Sequence, residues 1–135
     1  MRKIEHIGIA VKDLNASNAL FEKLFGAPAY KVEEVGSEGV RTSFFKSGPN
    51  KIELLEATRP DSPIAKYLEK KGEGIHHIAF EVEDIHSEIA RLKGEGFIVL
   101  NETPKKGADN KLVAFLHPKT SNGVLVELCQ EAPAE

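Results

Sequence analysis

Two stretches of the chain alternate apolar and polar residues, run into an aspartate, and then change to helical spacing. The first is Ile4-Glu5-His6-Ile7-Gly8-Ile9-Ala10-Val11-Lys12-Asp13, whose period of two is that of a β-strand. Beyond it Leu14, Leu20, Phe21, Leu24 and Phe25 share one face of a predicted helix that Gly26 ends. The second is Ile75-His76-His77-Ile78-Ala79-Phe80-Glu81-Val82-Glu83-Asp84, followed by a helix with Ile85, Ile89 and Leu92 inward and Gly94 or Gly96 as its stop. Asp13 and Asp84 stand where a side-chain oxygen can cap the first free amides of each helix. Laid over one another, the stretches put His77 on His6, Val82 on Val11 and Asp84 on Asp13 at a constant offset of 71. The chain repeats itself.

The repeat continues. Ser43 to Glu56 reads as a hairpin around Gly48-Pro49-Asn50, and Val113 to Cys129 reads as a second hairpin with a longer turn through Pro118 to Gly123. Glu127 falls on Glu53 at an offset of 74, and the longer turn absorbs the three extra residues. Residues 28–35 and 97–102 are expected to supply the remaining strand of each half. A helix from Ser62, with Pro63 at its first position, runs to about Lys71 and joins the halves. The predicted fold is α+β: two tandem βαβββ modules, about 1–60 and 72–135, in a single domain 1–135 built on a cupped, mostly antiparallel sheet.

Composition narrows the function. The chain has 135 residues, 41% hydrophobic and 29% charged, with a net charge of -3, an ordinary globular balance without the basic surplus of nucleic-acid binders. No apolar run approaches the roughly 20 residues of a membrane helix. Charge returns at once after Met1, so no leader is expected and a cytoplasmic location is. Cys129 is the single cysteine, set in an apolar run, and reads as an inert buried thiol.

A lone strand histidine is usually a hydrogen-bonded structural residue, and a lone glutamate between apolar neighbours is usually the wet face of its strand. Matched copies of both change that reading. Duplication gives no structural reason to keep a histidine and a glutamate twice, so His6, Glu53, His77 and Glu127 are expected to converge on one divalent metal. Two imidazoles and two carboxylates form a set of borderline hardness that suits Co, Mn, Ni, Fe(II) or Zn. His76 has the opposite strand parity, His86 falls on the exposed side of its helix, and His117 ends a strand where it can touch substrate or serve its loop. Lys105, Lys106 and Lys111 are expected in a solvated loop that can face an anionic handle.

With Lys51-Ile52-Glu53-Leu54-Leu55-Glu56, Asp61-Ser62-Pro63-Ile64-Ala65, Gly74-Ile75-His76-His77-Ile78-Ala79, Phe115-Leu116-His117-Pro118-Lys119 and Gly123-Val124-Leu125-Val126-Glu127-Leu128 in view, the whole chain resembles the methylmalonyl-CoA epimerases. These form a branch of the vicinal oxygen chelate superfamily, which also holds glyoxalase I (lactoylglutathione lyase), bleomycin-resistance proteins and extradiol dioxygenases. The resemblance implies an isomerase, usually a homodimer, that moves one proton on the carbon between a thioester and a carboxylate of an acyl-CoA substrate. A divalent ion, often cobalt, acts there as a Lewis acid for the enolate. It implies His6, Glu53, His77 and Glu127 as ligands and Glu127 as the base as well. Thr42 falls where some bacterial epimerases carry a second glutamate, and Glu53 where some members carry glutamine. The alternatives are a glyoxalase I-like isomerisation and a metal-free small-ligand binding protein on the same scaffold; the full His/Glu set argues against the latter.

Overall fold

The computed structural model describes residues 1–132. Its strands are β1 (Lys3–Ala10), β2 (Lys31–Val35), β3 (Val40–Ser47), β4 (Asn50–Ala57), β5 (Gly74–Glu81), β6 (Lys105–Lys106), β7 (Lys111–Leu116) and β8 (Val126–Glu131). The helices are α1 (Leu14–Phe25), α2 (Pro63–Lys71) and α3 (Ile85–Gly94). Two compact units emerge: His6–His76, here the first module, and Met1–Glu5 with the residues from His77 onward, the second. Each follows the predicted order of strand, helix and three strands.

In the first module the strands lie in the order β2-β3-β4-β1, with β1 parallel to β4 and the other pairs antiparallel. Asp13 caps α1 by accepting the Ala16 amide at 3.1 Å, and Gly26, at φ 74, ends it in the left-handed conformation that costs glycine least. The helix packs Leu14, Phe21 and Phe25 against Ile9, Val11, Phe45, Ile52 and Leu54. Burying such a side chain contributes roughly 1.5–3 kcal/mol. Leu20 and Leu24, expected on the same face, are 63% and 70% exposed. Each precedes a phenylalanine of the core by one residue, which turns it about 100° away from that core. The other face of the sheet takes α2, whose Ile64 is buried with Ala10 and Leu55; Ser62 caps it and Pro63 opens it as predicted.

The second module repeats this plan in the order β5-β8-β7-β6, with β5 parallel to β8. Asp84 accepts the His86 and Ser87 amides at 3.1 and 3.3 Å, and α3 buries Ile85, Ile89 and Leu92 on Val82, Ala114, Leu116 and Leu128. One expectation fails here. Residues 97–102 form no strand beyond a single bridge between Val99 and Leu116, and the outer strand is the two-residue β6. Side chains displace the ladder: Asn101 Oδ1 takes the Phe115 amide at 3.0 Å, and Thr120 Oγ1 takes that of Ile98 at 3.2 Å.

A second set of matched residues fixes where each helix begins. Glu56 Oε2 accepts the Leu14 amide at 2.8 Å, and Gln130 Oε1 accepts the Ile85 amide at 2.7 Å. Between β7 and β8 the longer turn passes through a 3-10 segment, Pro118–Thr120, and then through Asn122 and Gly123 at φ 56 and 81. The Gly123 amide donates to the Pro118 carbonyl at 2.7 Å.

Candidate functional site

Strand register decides which side chains share a face. In the first module Phe44 stands opposite Glu53, Thr42 opposite Leu55, and Lys51 opposite His6. His6, Lys51, Glu53, Leu55, Thr42 and Phe44 therefore point to the side away from α1. His6 and Glu53 are 5% and 4% exposed, and His6 Nδ1 lies 3.1 Å from Glu53 Oε2.

The second module has the same arrangement on its own face. Ala79 stands opposite Glu127 and Phe115 opposite Glu127 from the other side. His77 and Glu127 are each 6% exposed, with His77 Nε2 3.0 Å from Glu127 Oε1. The His77 ring meets Phe115 edge-on, centroids 6.0 Å apart at 84°. Phe44 and Phe115 occupy the same place beside the glutamate in the two modules. Sequence reasoning missed this aromatic match, although the offset of the histidines extends to it.

A buried carboxylate is costly unless it is paired, hydrogen-bonded or bound to a metal. Each glutamate here is engaged by an imidazole of its own module. Each pair offers one nitrogen and one oxygen within hydrogen-bond reach of each other, and that donor chemistry suits a borderline divalent ion. Opposite nitrogens are used, Nδ1 in His6 and Nε2 in His77, so the rings are presented differently although their strands correspond.

The remaining expected residues divide. His117 caps the 3-10 turn, its Nδ1 accepting the Lys119 amide at 3.0 Å, with the residue partly buried. His76 packs edge-on against Tyr67, centroids 4.9 Å apart, and His86 is exposed. Lys105 and Lys106 form β6, the outermost strand of their module. Lys111 corrects the prediction: it is the first residue of β7, buried at 6% exposure, with Nζ 2.6 Å from Glu131 Oε1. Its ammonium cannot sit in a solvated loop, because the alternation of β7 turns it onto the face that Glu131 shares. Thr42 Oγ1 and Ser43 Oγ are buried with no hydrogen-bond partner among the described residues. Cys129 is buried, as expected.

The chain is also similar to known proteins. The family model described as Glyoxalase/Bleomycin resistance protein/Dioxygenase superfamily matches residues 5–115. An ethylmalonyl-CoA/methylmalonyl-CoA epimerase of Cereibacter sphaeroides is 45% identical, over 95% of this chain and 97% of its own. A mitochondrial methylmalonyl-CoA epimerase of Dictyostelium discoideum is 43% identical, over 93% of this chain and 76% of its own. Among solved structures, a point variant of Streptomyces coelicolor methylmalonyl-CoA epimerase in complex with 2-nitronate-propionyl-CoA superimposes with a TM-score of 0.94 at 38% identity, covering 100% of this chain and 98% of that one.

Proposed function

Since the chain belongs to the Glyoxalase/Bleomycin resistance protein/Dioxygenase superfamily, with the vicinal oxygen chelate fold, we propose that it epimerises methylmalonyl-CoA by moving one proton at the carbon between the thioester and the carboxylate. The observation that carries the reading is the duplicated pair, one buried histidine against one buried glutamate in each module. His6, Glu53, His77 and Glu127 would together hold one divalent ion, cobalt first, with manganese, nickel or zinc as substitutes. Bound there, such an ion supplies electrostatic stabilisation to the enolate.

The protein's own groups do the rest. Glu127 is the base: its carboxylate accepts the α-proton, and the neighbouring His77 fixes its orientation. Thr42 has no proton to offer at this task, since a hydroxyl is too weak an acid, so return of the proton to the opposite face falls to water or to His117. Lys105, Lys106 and His117 are assigned to substrate contact; Lys111 is withdrawn from that role by its ion pair with Glu131. A homodimer in the cytoplasm completes the proposal.

The test is proton NMR of methylmalonyl-CoA in D2O with the enzyme loaded with Co(II). Loss of the α-proton signal from one pure epimer, with appearance of the other, is the expected result. Exchange seen only with a glutathione hemithioacetal would move the chain to the lactoylglutathione lyase activity instead.

A further inference from the structure

We infer that His117 works with both ring nitrogens: Nδ1 holds the turn after β7, and Nε2 donates its hydrogen to an oxygen of the substrate's acyl group. The inference rests on the acyl-CoA reading above and names the atom and the tautomer of one substrate contact. Nδ1 accepts the Lys119 amide at 3.0 Å. An accepting nitrogen carries no hydrogen, so the one proton of the neutral ring sits on Nε2. Capping the turn needs only an acceptor, for which asparagine, aspartate or serine serves as well. The turn therefore accounts for one nitrogen and leaves the other unused. Nε2 has no hydrogen-bond partner among the described residues. Unlike the sealed hydroxyls of Thr42 and Ser43, it is not closed off from the surface.

Strand geometry brings this ring to the face of the His77/Glu127 pair. His117 is still extended, at φ -66 and ψ 128, and its amide donates to the Ile98 carbonyl at 2.8 Å. Two residues beyond Phe115, its side chain returns to the face that Phe115 shares with Glu127, roughly 7 Å further along the strand. Phe115 itself meets the His77 ring edge-on. Val99 and Leu116 bridge on the opposite face, where both join the core under α3. Ile98 and Leu100 therefore flank the face of His117, and they are 43% and 51% exposed. Their apolar side chains offer no competing hydrogen bond and lower the local dielectric, which strengthens a bond from Nε2. A donor at that spacing from Glu127 can meet an oxygen of the same acyl group whose α-proton Glu127 removes. Giving up the Nε2 hydrogen would leave an imidazolate. His117 thus polarises its acceptor without delivering a proton, and return of the proton to the opposite face is left to water.

His117→Asn separates the two tasks, because its amide oxygen lies as many bonds from the backbone as Nδ1 and keeps the cap, while the donor at the Nε2 position is lost. The variant should keep the wild-type urea midpoint. Loaded with Co(II), it should lose about 10–100-fold in kcat/KM for methylmalonyl-CoA, the strength of a hydrogen bond to a charged oxygen, and α-proton exchange of both epimers should slow alike. Nitrogen-15 NMR of the Zn(II)-loaded wild type is the second arm. It should show a hydrogen on Nε2 and none on Nδ1, and methylmalonyl-CoA should shift the Nε2 resonance. Propionyl-CoA, which has no free carboxylate, sorts the acceptor: a shift with both esters assigns the thioester oxygen, and a shift with methylmalonyl-CoA alone assigns the carboxylate. Wild-type kcat/KM in the variant, a hydrogen on Nδ1, or an Nε2 resonance that neither ester moves overturns the inference. So does a loss of exchange confined to one epimer, which would make His117 a proton carrier. Should the variant also lose stability, the NMR arm decides on the intact wild type. If the wild type exchanges no α-proton, the epimerase reading fails by itself, and the Nε2 shift still decides whether His117 contacts an acyl-CoA.

Discussion

Gln130 holds in the second module the place that Glu56 holds in the first, and each accepts the amide hydrogen of the first residue of its helix, Ile85 or Leu14. A neutral amide and a carboxylate thus do one task, in which the hydrogen bond is shared and the charge is extra. Replacing Glu56 by alanine leaves the Leu14 amide without its partner and should cost about 1–2 kcal/mol; Gln130→Ala should cost a similar amount. Glu56→Gln should cost only about 0.3–1 kcal/mol, the interaction of a charge with a helix start. Urea midpoints of the three variants test this, and an equal loss for Glu56→Gln and Glu56→Ala would show that charge, not hydrogen bonding, matters.

Adjacent hydroxyls on β3 point to a gain in stability. Thr42 and Ser43 are fully buried, and neither oxygen has a partner among the described residues. Val113, opposite Cys129, takes in the second module the place of Thr42 opposite Leu55. Thr42→Val should raise stability by about 1 kcal/mol by removing a desolvated hydroxyl without changing shape. A lower urea midpoint in the variant would mean that the hydroxyl has a partner in solution.

His77→Ala and His6→Ala should each abolish stoichiometric Co(II) binding while the far-ultraviolet spectrum stays near that of wild type. Mass spectrometry of metal content after desalting is the measurement. A full equivalent of cobalt retained by either variant would remove that histidine from the proposed ligand set.

Glu127→Gln keeps an oxygen ligand and nearly the same volume but no longer accepts a proton. The turnover number should fall by about 10²–10⁴, the usual contribution of one positioned base, with cobalt retained. Exchange of both epimers at the wild-type rate would leave Glu127 as a ligand alone and shift attention to His117.

Asp84 provides a pH test away from the site. Its carboxyl is held below the usual range, chiefly by accepting the Ser87 amide and further by the Ser87 side chain and the His86 amide. A depressed pKa stabilises the fold above the unfolded value of about 3.9, and this contribution is lost as pH falls through the folded value. Asp84→Asn keeps a capping side chain but does not titrate. The gap in urea midpoint between wild type and Asp84→Asn should therefore be larger near pH 6 than near pH 3, and a constant gap would contradict the assignment.

The repeat made most of the architecture legible, because period-two stretches ending in Asp13 and Asp84 fix strand, cap and helix at once. His6, Glu53, His77 and Glu127 could be singled out for the same reason, since a duplicated inward residue needs only an offset to be found; that each histidine engages the glutamate of its own module was not read from the sequence. Besides the Phe44/Phe115 match, two features escaped. Residues 97–102 carry apolar residues suited to a strand, but Asn101 and Thr120 satisfy the amides that a ladder would use, and side chains from elsewhere in sequence do not register in a local pattern. Lys111 looked like a loop lysine because its neighbours Gly107, Asp109 and Asn110 favour turns; its burial depends on Glu131, twenty residues away. Leu20 and Leu24 show a related limit, since apolar spacing marks a helix without saying how wide its covered stripe is.

The turn before β8 also bears on how the protein ages. Asn122 is exposed and followed by Gly123, the pair in which an asparagine amide is most readily attacked by the next backbone nitrogen, releasing ammonia and leaving a succinimide that opens to aspartate or isoaspartate. Here the Gly123 nitrogen is held toward the Pro118 carbonyl at 2.7 Å. The attacking atom is therefore restrained while the turn stays closed. Deamidation at Asn122 becomes a clock that runs on openings of this turn, so the slow chemical change of a stored sample records how often the β7–β8 connection has come undone.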